Sequence, residues 1–253
     1  MTASPSRAIA PALAPRPARI SAVVCAYNEG PRLGAVLAVA AAHPLVAEVI
    51  VVDDGSRDDT ADVARAFDRV RLIQHDVNRG KSAAMATGVA AARHDLLMLL
   101  DADLKGLRAE DVTALAAPVL DGTARVSMSL RRNSLAIFRA IGIDFVSGER
   151  VLSRALLGDV LHDVRALPRF GVEVFMNKRI IAGALPVAVA NWATVTQSRK
   201  TEKLGWWRGA RAEWRMVADL MQVAYPVELV AQTARLIALR VDGDAPDLSL
   251  IHI

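Results

Sequence analysis

A single cysteine, Cys25, stands in a chain of 253 residues. An internal disulfide is excluded, and so is a cysteine-based zinc site. Aromatic residues make up only 4%, which leaves little for stacking nucleic-acid bases. No window reaches the ~18 uninterrupted apolar residues of a membrane-spanning helix. No internal repeat is present, and low complexity is confined to the Pro-, Ala- and Arg-rich residues 1–19. That segment lacks an apolar h-region and reads as a disordered tail rather than a signal peptide. A reducing compartment fits these absences, with the cytoplasm as the default.

What is present is 53% hydrophobic, with a net charge of +4. A mildly basic balance suits an anionic ligand or a membrane surface and does not demand nucleic acid. The length allows one large domain or two small ones.

Apolar β-rich runs alternate with helical patterns through the first half. Residues 20–26 read as a strand, broken by Asn28-Glu29-Gly30-Pro31. Residues 33–42 read as a helix, stopped by Pro44, and 48–52 as the second strand. Asp58-Asp59-Thr60 can cap a helix running to about Phe67, with Val63 and Phe67 inward. A strand over 70–74, a small-residue helix over 80–92 and a strand over 96–100 follow. This β-α-β-α order with short loops predicts a parallel sheet covered by helices. Such sheets bind ligands beyond the carboxyl ends of their strands. The polar groups Asn28 and Glu29, Asp53 and Asp54, and Asp101 and Asp103 stand at those ends.

The second half is less regular. A strand is expected over 126–130, and a helix from Ser147-Gly148-Glu149-Arg150 through Leu157. A helix over 172–183 and a strand over 185–196 follow, then a basic, Trp-rich stretch over 199–215. Trp207, Ala210, Trp214, Val217, Met221 and Tyr225 recur at helical spacing, with Arg208, Arg211 and Arg215 on an adjacent face. Such a helix either lies in a membrane interface or packs on its own domain or a second subunit. Pro226 is expected to kink or end it. The last six residues, 248–253, read as an adaptor-derived scar and are left out of fold reasoning.

Asp101-Ala102-Asp103 follows the apolar run Leu96-Leu97-Met98-Leu99-Leu100. An apolar run without alternation suits a strand buried on both faces. Strand geometry, if continued, would send both carboxylates to one side. A hard divalent cation relieves that crowding, and Mg²⁺ takes one or two carboxylates plus substrate phosphate oxygens. The other reading of the D-x-D motif is an acidic turn. Asp53-Asp54-Gly55-Ser56 leaves a similar choice between ribose or base contacts and turn chemistry. Asn28-Glu29 leaves one between base or ribose reading and a capping loop. Asn78-Arg79-Gly80-Lys81-Ser82 opens a helix, which makes an anion site or a solvated basic cap. It is not a Walker A loop, because the first glycine is missing.

Taken in order, Asn28-Glu29, Val51-Val52-Asp53-Asp54-Gly55-Ser56-Arg57-Asp58-Asp59-Thr60, Asn78-Arg79-Gly80-Lys81 and Asp101-Ala102-Asp103-Leu104 resemble the family 2 glycosyltransferases. The resemblance is strong over residues 20–105 and continues more weakly to about 215. It implies a GT-A, Rossmann-like α/β fold: a mostly parallel sheet flanked by helices, with a helical acceptor-side extension. The implied layout is a tail over 1–19, the GT-A domain over 20–225 and a C-terminal helical extension over 226–253. The implied partner is a UDP- or GDP-sugar donor, the implied cofactor Mg²⁺ or Mn²⁺, and the implied outcome inversion at the anomeric carbon. Ala26, Asn28, Glu29 and Asp53 would hold the nucleoside, with Lys81 nearby. Asp101 would touch the ribose or donor sugar, and Asp103 would bind the metal.

The family often carries Glu-Asp before a late helix. The matching stretch here is Phe170-Gly171-Val172-Glu173-Val174, with Val174 in place of the Asp. Glu173 is therefore the first candidate for the base that takes the acceptor hydroxyl's proton, with Glu149 and Asp144 behind it. A phosphate acceptor needs no base. Where relatives carry a late His, this chain has Gln197, whose carbonyl oxygen suits a hard cation. Arg199, Lys200 and Lys203 would close over the diphosphate as a basic loop.

The expected activity is that of an inverting, metal-dependent hexosyltransferase acting on a hydroxyl or phosphate. The alternatives are a polyprenyl-phosphate sugar transferase at the inner membrane face and a nucleotide-binding module without transferase activity. Lys105 after Leu104 leans towards a soluble or small phosphorylated acceptor. A nucleotidyltransferase would want a Gly-rich loop after the first strand, which Ala26-Tyr27-Asn28-Glu29 does not supply. A homodimer and a membrane surface complete the expected partners.

Overall fold

The computed structural model describes residues 19–158, 161–165, 167, 171–197 and 226–241. Its elements run β1 Ile20–Ala26, α1 Gly30–Ala42, β2 Val46–Asp53, α2 Thr60–Arg65, β3 Val70–Gln74, α3 Lys81–Ala91 and β4 Leu96–Asp101. Then come β5 Leu104–Lys105, α4 Ala109–Leu120, β6 Val126–Arg131, α5 Ala136–Ile141, β7 Arg150–Ser153, α6 Ala155–Gly158 and α7 Leu161–Arg165. The series ends with α8 Gly171–Ala182, β8 Val187–Trp192, β9 Thr196–Gln197 and α9 Pro226–Ala238.

Seven strands form one sheet in the order β3-β2-β1-β4-β7-β6-β8. The β1–β2, β1–β4, β2–β3 and β6–β8 pairs are parallel, and β7 runs antiparallel between β4 and β6. The mostly parallel sheet expected from the alternation is thus present, with one reversed strand. Period-2 alternation in β1 divides the core. Ala22 and Val24 face α1 and α4 side chains such as Leu33, Leu37 and Leu115. Val23 faces the other layer with Met85, Val89, Val172 and Ile180. Each such large aliphatic side chain contributes about 1.5–3 kcal/mol by leaving water. The small residues of α3 have a packing reason: a Cβ at Gly88 would come within 2.4 Å of Val23 Cγ1.

Several local expectations differ from the structure. The break at Gly30-Pro31 is the first turn of α1, where proline's missing N–H costs nothing. The helix expected from Ser147 is instead β7, followed by the short α6. Val151 and Leu152 are fully buried and fill the slot between β4 and β6. The single strand expected over 185–196 is two, because the chain leaves the sheet after Trp192 to pair β9 with β5. Neither α4 nor α5 was expected. Pro226 opens α9, and the helix expected to run up to it lies outside the described residues. The C-terminal helix packs back on the domain: Leu236 joins the core of α8, and Lys178 pairs with Glu228 at 2.7 Å. No helix among the described residues is long and apolar enough to cross a membrane.

Candidate active site

β4 ends at Asp101, and Ala102-Asp103 forms a turn before β5. The two carboxylates therefore do not continue one strand, contrary to the simplest reading of the motif. They converge through the β5–β9 ribbon, which sets Gln197 opposite Leu104. Gln197 Nε2 donates to Asp101 Oδ2 at 2.9 Å and to Asp103 Oδ1 at 3.0 Å. Asn133 fixes the Gln197 backbone, donating to its carbonyl at 2.8 Å and accepting from its N–H at 3.1 Å.

Lys81, the first residue of α3, reaches Asp101 Oδ1 at 2.8 Å and Glu173 Oε1 at 3.0 Å. Glu173 lies in the first turn of α8 and is 1% exposed. Its Oε2 is buried with no hydrogen-bond partner among the described residues. Burial alone would lower the Lys81 pKa, but the Asp101 and Glu173 charges outweigh it and hold the ammonium well above its ordinary value. Burial would likewise raise Asp101, but Lys81 and then Arg131 hold its carboxyl below the usual range.

Behind Asp101 lies a buried polar network. Arg131, at the end of β6, donates from Nη1 to both Glu149 oxygens at 2.6 and 2.7 Å. Ser129 and Ser147 each donate to Glu149 Oε2 at 2.7 Å. Ser134 donates to Asp144 Oδ2 at 2.7 Å. Burial raises the Asp144 carboxyl even with Arg131 beside it. Arg150 is fully buried and donates to the Ser147 and Phe145 carbonyls at 3.0 and 2.9 Å and to Asn177 Oδ1 at 2.8 Å. Burial pushes its guanidinium down to about 10. Glu149 and Asp144, the reserve bases, are thus members of this network. Arg131, Asn133, Gly148 and Arg150 were missed by sequence reasoning. Arg131 had one readable signal: like Asp101, it is a charge at the end of a strand.

The first two motifs mostly brace the edge of the sheet. Asn28 adopts a left-handed φ of 54° and its Oδ1 accepts the Arg57 N–H at 2.9 Å. The Glu29 carboxylate pairs with Arg32, and the buried Ala26 accepts the Asp54 N–H at 2.8 Å. Asp53 accepts from the Ser56 N–H at 3.0 Å and Gln74 Nε2 at 3.2 Å. Asp54 accepts from the Arg79 and Gly80 N–H groups at 2.9 and 2.7 Å and pairs with His75 at 2.7 Å. It thereby fixes the start of α3, and with it Lys81. Arg199, Lys200 and Lys203 lie outside the described residues, as do residues 207–225.

No group of three His, Cys, Asp or Glu side chains gathers for a metal among the described residues. A cation that keeps waters and arrives with a diphosphate needs fewer protein ligands. The site fits such a cation on charge. Five carboxylates (Asp101, Asp103, Asp144, Glu149, Glu173) face three basic groups (Lys81, Arg131, Arg150), a formal excess of two negative charges. Asp103 and the Gln197 side-chain oxygen are the hard oxygen donors that would meet such a cation.

Residues 21–139 match the family model described as Glycosyl transferase family 2. The succinoglycan biosynthesis protein ExoU of Rhizobium meliloti is 38% identical over 91 residues, 34% of this chain and 27% of that protein. Human dolichyl-phosphate beta-glucosyltransferase is 36% identical over 100 residues, 34% of this chain and 31% of that protein. The matched region thus spans less than a third of either of these curated relatives. Glucosyl-3-phosphoglycerate synthase from Mycobacterium tuberculosis, solved with Mn²⁺ and UDP-glucose, superposes with a TM-score of 0.62 at 26% identity. That match covers 81% of this chain and 79% of that one, so the GT-A fold extends well beyond residue 139.

Proposed function

From the match of residues 21–139 to the Glycosyl transferase family 2 model, we propose that this chain transfers a sugar from a nucleotide-diphosphate sugar to an acceptor hydroxyl or phosphate, with inversion. The observation that carries this reading is the meeting of Asp101, Asp103, Gln197 and Lys81 at the carboxyl edge of the sheet. That edge is where open α/β sheets take their ligands. Ala26, Asn28, Glu29 and Asp53 line the nucleoside end. Asp101 and Lys81 orient the donor's ribose or sugar. Asp103 and the Gln197 oxygen would hold Mg²⁺ or Mn²⁺, which when bound offsets the charge on the departing diphosphate. Arg199 and Lys203, outside the described residues, would add positive charge for the same group.

With a hydroxyl acceptor, Glu173 takes the proton as general base. A phosphate acceptor on a polyprenyl chain is the second reading. It is favoured by the sequestration of Glu173, with Oε1 on Lys81 and 1% exposure, because a phosphate is already an anionic nucleophile. We place the protein in the cytoplasm, touching the inner membrane face through residues 207–225. Flotation with anionic vesicles checks that contact, and loss of binding on changing Arg208, Arg211 and Arg215 to Ala is the expected result.

The decisive experiment is a thermal-shift screen of UDP- and GDP-sugars with Mg²⁺ or Mn²⁺. A selective donor at about 100 times its Kd stabilises the fold by about 2.7 kcal/mol through mass action. No shift with any donor would overturn the reading.

A further inference from the structure

Gly148 sits two residues before β7, against the Lys81–Asp101 ion pair. A Cβ built there would lie 2.7 Å from Asp101 Oδ1, 2.8 Å from Lys81 Nζ and 3.0 Å from Asp101 Oδ2. Ordinary contact begins near 3.4 Å, so the pair and a methyl group cannot share the space. The backbone does not explain this glycine, because its φ lies outside the left-handed region that glycine alone adopts freely. The missing side chain is what the site uses.

The surroundings decide which side would yield. The Gly148 backbone is tied at both neighbours: Arg150 Nε donates to the Ser147 carbonyl at 3.0 Å, and the Ser129 N–H donates to the Glu149 carbonyl at 3.1 Å. The Ser147 N–H donates to the Asp144 carbonyl at 3.0 Å. The Glu149 side chain is locked by Arg131, Ser129 and Ser147. The peptide is fastened within a buried network, whereas the Lys81 side chain is 37% exposed. A methyl group would therefore displace the ion pair rather than the strand.

We infer that Gly148 is a positioning residue: its bare α-carbon sets where the Lys81–Asp101 pair stands, and so how tightly the nucleotide of the donor is held. This rests on the nucleotide-sugar reading above. A misplacement of about 1 Å in a site that positions a reactant can cost about 10²-fold in rate.

The test is calorimetric titration of UDP and of GDP with Mn²⁺ into the wild type, Gly148→Ala, Lys81→Ala and the double variant, with melting temperatures alongside. The expected result is that Gly148→Ala melts close to the wild type and binds its nucleotide about tenfold or more weakly. Lys81→Ala vacates space into which Asp101 can turn, so the double variant should bind no worse than Lys81→Ala alone. Additive losses would count against the inference, since only groups acting through one another deviate from additivity. Wild-type affinity in Gly148→Ala would overturn it while leaving the proposed function standing. A wild type that binds neither nucleotide would remove both. If Gly148→Ala and the double variant both fail to fold, the glycine serves the fold alone and the inference is wrong.

Discussion

The Lys81 ammonium meets the Glu173 carboxylate, Nζ to Oε1, at 3.0 Å, across 92 residues of sequence. One cation thus ties α3 to α8 while also holding Asp101 at the end of β4. A carboxylate at the start of α8 is therefore linked through a single side chain to the carboxylate proposed to orient the donor.

This link sharpens what Glu173→Gln should do. With a hydroxyl acceptor, transfer should fall by about 10²–10⁴-fold, the usual contribution of a positioned base. Nucleotide affinity should change by a few-fold at most, because Asp101 still holds Lys81. Comparing kcat with the Kd for UDP measures both. Full transfer to a phosphate acceptor by the same variant would select the second reading of the acceptor.

Asp103→Ala should abolish the part of nucleotide-dependent thermal stabilisation that requires Mn²⁺. The melting temperature without ligand should stay within a few degrees, since Asp103 sits in a turn rather than in a strand. A titration of UDP with and without Mn²⁺, read by thermal shift, checks this. An undiminished metal-dependent shift would remove Asp103 from the metal site.

At the opposite edge of the sheet, Glu48 supplies a pH dependence unconnected with catalysis. It is buried and accepts from Ser21 Oγ at 2.6 Å, the Arg93 N–H at 2.7 Å and Arg93 Nε at 2.8 Å. Burial would raise its pKa, but these bonds prevail and lower it. A carboxyl depressed in the folded state stabilises above its unfolded pKa of about 4.3 and loses that contribution as pH falls through the folded value. Glu48→Gln should cost about 1–3 kcal/mol at pH 7. The gap to wild type should narrow as pH falls below the unfolded value and through the depressed folded one. Urea unfolding at a series of pH values measures it.

Cys25 lies in β1 beside Asp101 of β4 and retains partial exposure. Burial pushes its thiol up to about 12, against the opposing pull of Lys81. The thiolate is the reactive form. Alkylation by iodoacetamide at pH 8 should therefore run at least about 100-fold slower in the native protein than in urea. Because Cys25 is the only cysteine, the mass of the product reports this one site. Rapid native alkylation would show that the thiol is not held protonated.

The legible and the illegible parts of the chain divide on physical grounds. β1 and β3 begin and end where the sequence places them, and β2, β4 and β6 within two residues. β1 and β4 are buried on both faces, so a mainly apolar composition marks them, whereas the half-exposed β3 carries Arg71 and Gln74. β7 was misread as helix because four residues hold too little pattern to separate the two periods. Its identity comes from the gap between β4 and β6, which no local rule contains. Gln197 could be singled out by resemblance, but its hydrogen bonds to Asp101 and Asp103 depend on a two-residue ribbon.

The alternation that builds the parallel half of the sheet is legible along the chain, and so is the placing of Asp53, Asp54, Asp101 and Asp103 at the strand ends. These are properties of neighbours in the chain: hydrophobic period, turn chemistry and charge at the end of an apolar run. The partnerships arise only on folding: Lys81 with Glu173, Gln197 with the two aspartates, Arg131 with Glu149, and Gly148 against the ion pair. Each joins segments that the sheet order and the β5–β9 ribbon bring together. At such range, distance and burial set the strength of a charge, and neither is written in local spacing.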